Sequence, residues 1–322
     1  MANSIRSEDE SVLLVDCGAL FGPDRLSIPM RRTIAGLGMQ AMEKMRYAAM
    51  NLGREDFTFG PDFVKKISAN VTFPIVTSNI LYRKDLSTFG RTYAVIKIQD
   101  VNVGILGIIP ENAFEGVELS DAREMLEITP PKEALSKLIP AVKKEADIIV
   151  LLSQCGLETT RSIVDTVDGI SLAIVGEGNP KKSSENEAPA ACGSVLKGGE
   201  TGHDRGEKTL LLQAAPQGHS LGFARLTLNE SGRIMERQVK MIPVDKSTAK
   251  NEEIFAITGD NIYKRISEIS EEATKAYEVQ STQNRLKIKQ EIEKEREENR
   301  NLSPEEYIKL QLEKRFKVGG AK

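Results

Sequence analysis

Short runs of branched apolar residues alternate with longer stretches in which apolar positions recur every three to four residues. That is the pattern of buried strands separated by amphipathic helices. Val12 to Val15 is the first such run and is closed by Asp16 and Gly18. Ile34, Leu37, Met39, Met42 and Met45 then predict a helix from Ile28 to Arg46, which leads into a second strand, Tyr47 to Leu52, ended by Gly53. Pro61 opens a short helix, and Phe73 to Ile80 reads as a third strand. Tyr93 to Gln99 and Val101 to Ile109 read as a hairpin across Asp100. Pro130 to Lys144 is amphipathic and precedes a buried strand, Asp147 to Leu152; Thr159 to Val167 and Ile170 to Gly176 repeat the helix and the strand.

Residues 177–207 break the pattern, being polar with six glycines and two prolines, and read as a long loop. Thr209 to Ala214, Leu221 to Leu228 and Ile234 to Val244 follow as strands, the last two joined through Asn229 to Gly232 as a hairpin. Alternation giving way to antiparallel strands predicts a layered α/β domain over residues 12–245, after a flexible stretch at 1–11. Residues 246–322 read as a helical arm. Phe255, Ile262, Ile266, Ile269, Ala273 and Ala276 make one apolar stripe, and Asn284 to Arg300 is dominated by Lys, Arg and Glu. Ser303, Pro304 and Glu306 form a capping sequence for a last helix carrying Leu310, Leu312 and Phe316. The arm has two readings, a solvated extension and a helix for self-association or a protein partner.

The chain has 322 residues, 40% of them apolar, enough to bury a core without metals or disulfides. Its 44 basic and 47 acidic residues leave a net charge of -3, which argues against a chain-wide grip on nucleic acid or an anionic membrane. Three cysteines, Cys17, Cys155 and Cys192, lack zinc or thioredoxin-type spacing. Met1 to Glu10 has no basic and apolar leader, and no apolar run reaches the roughly 18 residues of a membrane span, so the sequence as written reads as cytoplasmic.

In open α/β sheets ligands bind beyond the carboxyl ends of the strands. The residues there are Asp16 to Ala19, Leu52 to Phe57, Asn79, Leu152 to Gly156 and Gly176 to Pro180. Their order and spacing resemble the calcineurin-like metallophosphoesterases, in particular the catalytic domain of the bacterial 5'-nucleotidase and 2',3'-cyclic phosphodiesterase group. Asp16-Cys17-Gly18-Ala19 answers that family's Asp-x-Gly-Asp, and Gly53-Arg54-Glu55-Asp56 its Gly-Asn-His-Glu/Asp. Ser78-Asn79-Ile80 answers Ala-Asn-Ile, Leu152-Ser153-Gln154-Cys155-Gly156 answers Leu-Ser-His-x-Gly, and Gly176 to Pro180 falls at Gly-His-x-His. The resemblance implies a four-layer α/β/β/α sandwich of two mixed sheets over residues 12–245, here with a helical C-terminal extension. The family's first strand, with its Asp-x-His, has no counterpart, and neither has its separate substrate-binding domain. Family relatives are often exported.

The resemblance also implies a phosphoester hydrolase with two metal ions held by carboxylate, amide and imidazole ligands. This sequence departs from that set. Ala19 stands at the bridging carboxylate, Arg54 at the asparagine, Glu55 at the catalytic histidine and Gln154 at a histidine ligand, and the only histidines, His203 and His219, match no motif. The reading is therefore a non-hydrolytic relative with a binding, scaffold or thiol-redox role and no expected cofactor. Candidate reactive residues at the ancestral site are Cys17, Glu55, Asp56 and Cys155, with Cys192 as a third thiol and Arg54 placed to lower a thiol pKa. Candidate ligand contacts, for a phosphorylated small molecule, are Arg54, Asn79, Gln154 and Glu177. The alternative is a phosphoesterase holding Mn, Mg or Zn through Asp16, Asp56 and Glu177. The unmatched first strand adds a further expectation, that an exposed sheet edge or the helical arm joins a second copy or another protein.

Overall fold

A computed structural model describes residues 5–7, 11–21, 28–116, 119–176, 195–196, 209–213, 220–229 and 234–259, with isolated positions beyond. By internal contacts the chain divides into two units, Met1–Ile262 and Tyr263–Lys322. The expected stripe beyond Phe255 and the helix at Ser303 lie outside the described residues, as do Glu177, Cys192, His203 and His219.

The first unit is built on a six-stranded mixed sheet in the order β4 (Ala94–Ile98), β5 (Val101–Ile108), β7 (Ile148–Ser153), β8 (Leu172–Val175), β10 (Leu210–Gln213) and β9 (Val195–Leu196). Strands β5, β7, β8 and β10 run parallel, and the two edges pair antiparallel. Every residue of β7 is buried, which explains its unbroken apolar run Ile-Ile-Val-Leu-Leu before Ser153. Alternate residues then go to opposite faces. Leu106, Ile108, Ile149, Leu151, Ala173 and Val175 pack on one side against Leu135, Ile139 and Val142 of α4 (Pro131–Val142) and Ile163 of α5 (Leu157–Val164). Val103, Ile105, Val150, Leu152, Leu172 and Leu212 face the other way, into a core shared with the second sheet layer.

That second layer holds a parallel pair, β1 (Val15–Asp16) with β2 (Ala49–Met50), and an antiparallel hairpin, β11 (Ser220–Leu228) with β12 (Ile234–Pro243). In β2, Ala49 faces the six-stranded sheet while Met50 faces the third core, with Ala35, Met39 and Met42 of α1 (Ile28–Lys44) and Val64 and Ile67 of α2 (Pro61–Ser68). Helices, sheet, sheet and helices follow one another, so the α/β/β/α sandwich is present.

Several elements differ from the sequence expectation. The runs at Val12 to Val15 and Tyr47 to Leu52 each contribute only two paired residues, Val15 opposite Ala49 and Asp16 opposite Met50. The expected strand Phe73 to Ile80 is reduced to single bridges, Met50 to Ile75 and Val76 to Arg91. Its last residues instead begin β3 (Ile80–Tyr82), which pairs antiparallel with β6 (Leu126–Ile128) behind a short helix, α3 (Ser120–Met125); the sequence reading contained neither β6 nor α3. A strand, β9, interrupts the stretch 177–207 read as loop. Past the boundary expected at 245, α6 (Glu252–Thr258) packs on α1 and lies within the first unit, its Asn251 side chain accepting from the Ile254 amide.

Candidate site at the carboxyl ends of the strands

The ends of β1, β2, β5, β7 and β8 come together through side chains that reach from the second layer into the six-stranded sheet. Asn51, fully buried just after β2, donates to the carbonyls of Ile108 (3.0 Å) and Leu152 (3.1 Å). Its Oδ1 is buried without a partner. From the end of β1, the Cys17 thiol donates to the Ile174 carbonyl at 3.1 Å. Ser78 accepts from the Gly107 amide at 3.0 Å while its own hydroxyl donates to Thr92.

The turns after β1 and β2 lie backbone against backbone. Gly18 (φ 98°) and Ala19 (φ 67°) both occupy the left-handed region, and a Cβ on Gly18 would come within 2.5 Å of the Gly53 nitrogen. A short 3-10 turn, Arg54–Phe57, follows Gly53 and carries Asp56 to the centre of the contact. Asp56 is completely buried and accepts from the amides of Gly53 (2.7 Å), Ala19 (2.8 Å), Leu20 (2.8 Å) and Phe21 (3.2 Å). Burial pushes its carboxyl up to about 7, against the opposing pull of those amides, and neighbouring Asp16 adds to the rise. Asp16 accepts from Gly18 at 2.7 Å and is itself raised, mainly by burial.

Residues that share this end of the fold have other duties than those expected of them. Arg54 Nη1 donates to the carbonyls of Ala113 (2.7 Å) and Glu115, tying the 3-10 turn to the loop after β5. Asn79 is fully buried and satisfied, donating to Ile109 (2.9 Å) and Thr129 (3.0 Å) and accepting from the Ile109 amide (3.1 Å). Glu55 is half-buried beside Asp56. Gln154 is 5% exposed, and its carboxamide lies across Gly176 so closely that a Cβ there would meet Nε2 at 2.5 Å.

The two described thiols do not form a pair. Cys17 packs in the core between the sheets and Cys155 in the core under α4 and α5, so the six-stranded sheet separates them. Burial pushes Cys155 up to about 12 and raises Cys17 further, with Asp16 adding to the rise at Cys17. The expectation that Arg54 would lower a thiol pKa is replaced by these burial-raised values.

Among the described residues, no set fits a pair of metal ions. Both oxygens of Asp56 are filled by amides, Asp16 is engaged by its own turn, and among the described residues no three His, Cys, Asp or Glu side chains gather as a ligand set. A cleft elsewhere, lined by Phe59 to Asp62, Asp121, Glu124 and Met125, contains none of the motif residues.

No protein-family model matches the chain. It is 24% identical over 267 residues to the 5'-nucleotidase of Diplobatis ommata, covering 78% of this chain and 44% of that protein. The human 5'-nucleotidase is 25% identical over 260 residues, with the same two coverages. The 2',3'-cyclic-nucleotide 2'-phosphodiesterase/3'-nucleotidase of Salmonella typhimurium is 23% identical over 271 residues, 74% of this chain and 40% of that one. The chain thus spans less than half the length of these relatives. Among solved structures, the calcineurin-like phosphoesterase YfkN from Bacillus subtilis superposes with a TM-score of 0.66 at 19% identity, covering 83% of this chain and 88% of that one. A 5'-nucleotidase precursor from Thermus thermophilus gives 0.65 at 19% identity, covering 83% and 51%. The fold is that of the calcineurin-like phosphoesterases, and the sequence relatives are 5'-nucleotidase-type phosphoesterases.

Proposed function

We propose that this chain is a non-hydrolytic relative of the 5'-nucleotidase-type phosphoesterases, acting as a binding or scaffold protein. The observation that carries the reading is Asp56. At the position of a catalytic motif, its carboxylate is consumed by four backbone amides, and Arg54 Nη1 two residues earlier donates to two backbone carbonyls. A carboxylate so engaged holds turns together and is not available to a dication. A thiol-redox role has less support, since the Cys17 and Cys155 thiols lie on opposite faces of one sheet.

The test is metal content per chain by mass spectrometry, on protein purified without chelators or a histidine tag, paired with turnover of bis(p-nitrophenyl) phosphate in added Mn²⁺. The reading expects near-zero metal, no uptake from excess Mn²⁺ and no turnover. Two equivalents of metal with turnover would overturn it in favour of a phosphoesterase using Asp16, Asp56 and Glu177.

A further inference from the structure

We propose that the amides of Ala19, Leu20, Phe21 and Gly53 form a carboxylate-binding nest, and that Asp56 fills it from within the chain, locking the turn after β1 to the turn after β2. The inference goes beyond the function above, because it assigns a site and a ligand class to a stretch of backbone.

Successive amides turned to one side of a chain make a concavity for anions. Here Ala19, Leu20 and Phe21 present three such amides in a row, which the left-handed conformations of Gly18 and Ala19 make possible. Gly53 supplies the fourth from the other turn, and it approaches only because neither glycine has a side chain; a Cβ on Gly53 would lie 2.8 Å from the Ala19 nitrogen. The donors divide two to each oxygen, Ala19 and Gly53 on Oδ2, Leu20 and Phe21 on Oδ1. Two coplanar oxygens, each receiving two amides, is the demand of a carboxylate, whose two oxygens offer about four acceptor sites. Among the described residues no cation completes the arrangement: Arg54 Nη1 is directed at Ala113 and Glu115, and the nearby charge is that of Asp16. Of these residues it is backbone dipoles that hold the carboxylate, and a small free carboxylate such as formate or acetate has the same chemistry.

Amide hydrogen exchange by NMR on the unmodified protein tests the nest directly. Ala19 is an exposed residue outside any helix or strand, so no ladder bond protects its amide. The expected result is exchange at Ala19 and Leu20 slowed by at least about a hundredfold relative to an open loop; exchange at open-loop rates overturns the proposal. In Asp56→Ala the emptied nest should bind formate or acetate, raising the lowered thermal midpoint more than chloride does at equal ionic strength, while the unmodified protein shows no such preference. Equal responses to formate and chloride overturn it. Where the variant does not fold, the exchange measurement on the unmodified protein decides. Protected amides in a protein that also carries metal would leave the nest standing and overturn only the non-hydrolytic reading.

Discussion

Asp56 shows how a single carboxyl group couples this fold to pH. Its proton is held more tightly in the folded protein, at about 7, than in an unfolded chain, where Asp titrates near 3.9. A group whose acid pKa rises on folding stabilises fully below the unfolded value and loses that contribution as pH climbs to the folded one. In urea unfolding, the stability of the unmodified protein relative to Asp56→Asn should therefore fall between about pH 4 and pH 7. A difference that stays flat over that window would contradict the assignment. Above that window, where the carboxylate is formed, the variant should still be weaker by about 1–3 kcal/mol, because an amide nitrogen now faces backbone donors it cannot accept from. The thiols give a second prediction at the same scale. With both raised by burial, Cys17 and Cys155 should resist iodoacetamide at pH 8 in the native state and react once denaturant is added; labelling of either in the folded protein would refute this.

Among the elements, the ones legible in the sequence were those whose stabilisation is local. The six-stranded sheet owes its strands to continuous apolar runs such as Ile148 to Leu152, and α1, α2 and α4 to stripes with proline at or near their starts. Phe73 to Ile80 looked equally strand-like, yet it is anchored by the side chains of Ser78 and Asn79 more than by a ladder, and nothing in the local pattern separates those cases. Ser120 to Ile128 went unread because a one-and-a-half-turn helix and a three-residue strand are too short to show a period. Gly107 in β5 illustrates a requirement that only packing reveals: a Cβ there would strike the Val76 carbonyl and come within 2.6 Å of Asn51 Oδ1. Gly107→Ala should cost about 1–3 kcal/mol or more, from overpacking between the two sheets. Gly36→Ala, in α1 with nothing near the added methyl, should stabilise by up to about 1 kcal/mol. Equal effects of the two substitutions on chemical denaturation would show that the sheets do not press together at Gly107.

For the whole molecule, the sequence placed the candidate residues at the right end of the fold but said little about what each one holds. Strand ends are marked by glycines and polar residues, so Asp16, Asp56, Asn79 and Gln154 could be located from pattern alone. Their partners are backbone amides and carbonyls, which every residue carries and no sequence pattern distinguishes. Arg54 resembled a ligand contact for that reason, since the carbonyls of Ala113 and Glu115 that engage it lie 59 and 61 residues further on. Asn51 reaches Ile108, 57 residues downstream, and further still Leu152, 101 residues downstream. During synthesis at about 5–20 residues per second, the Leu152 carbonyl leaves the ribosome on the order of 5–20 s after Asn51 does. Until then the opposing sheet lacks β7, and part of the core between the sheets is open to chaperones and to neighbouring nascent chains.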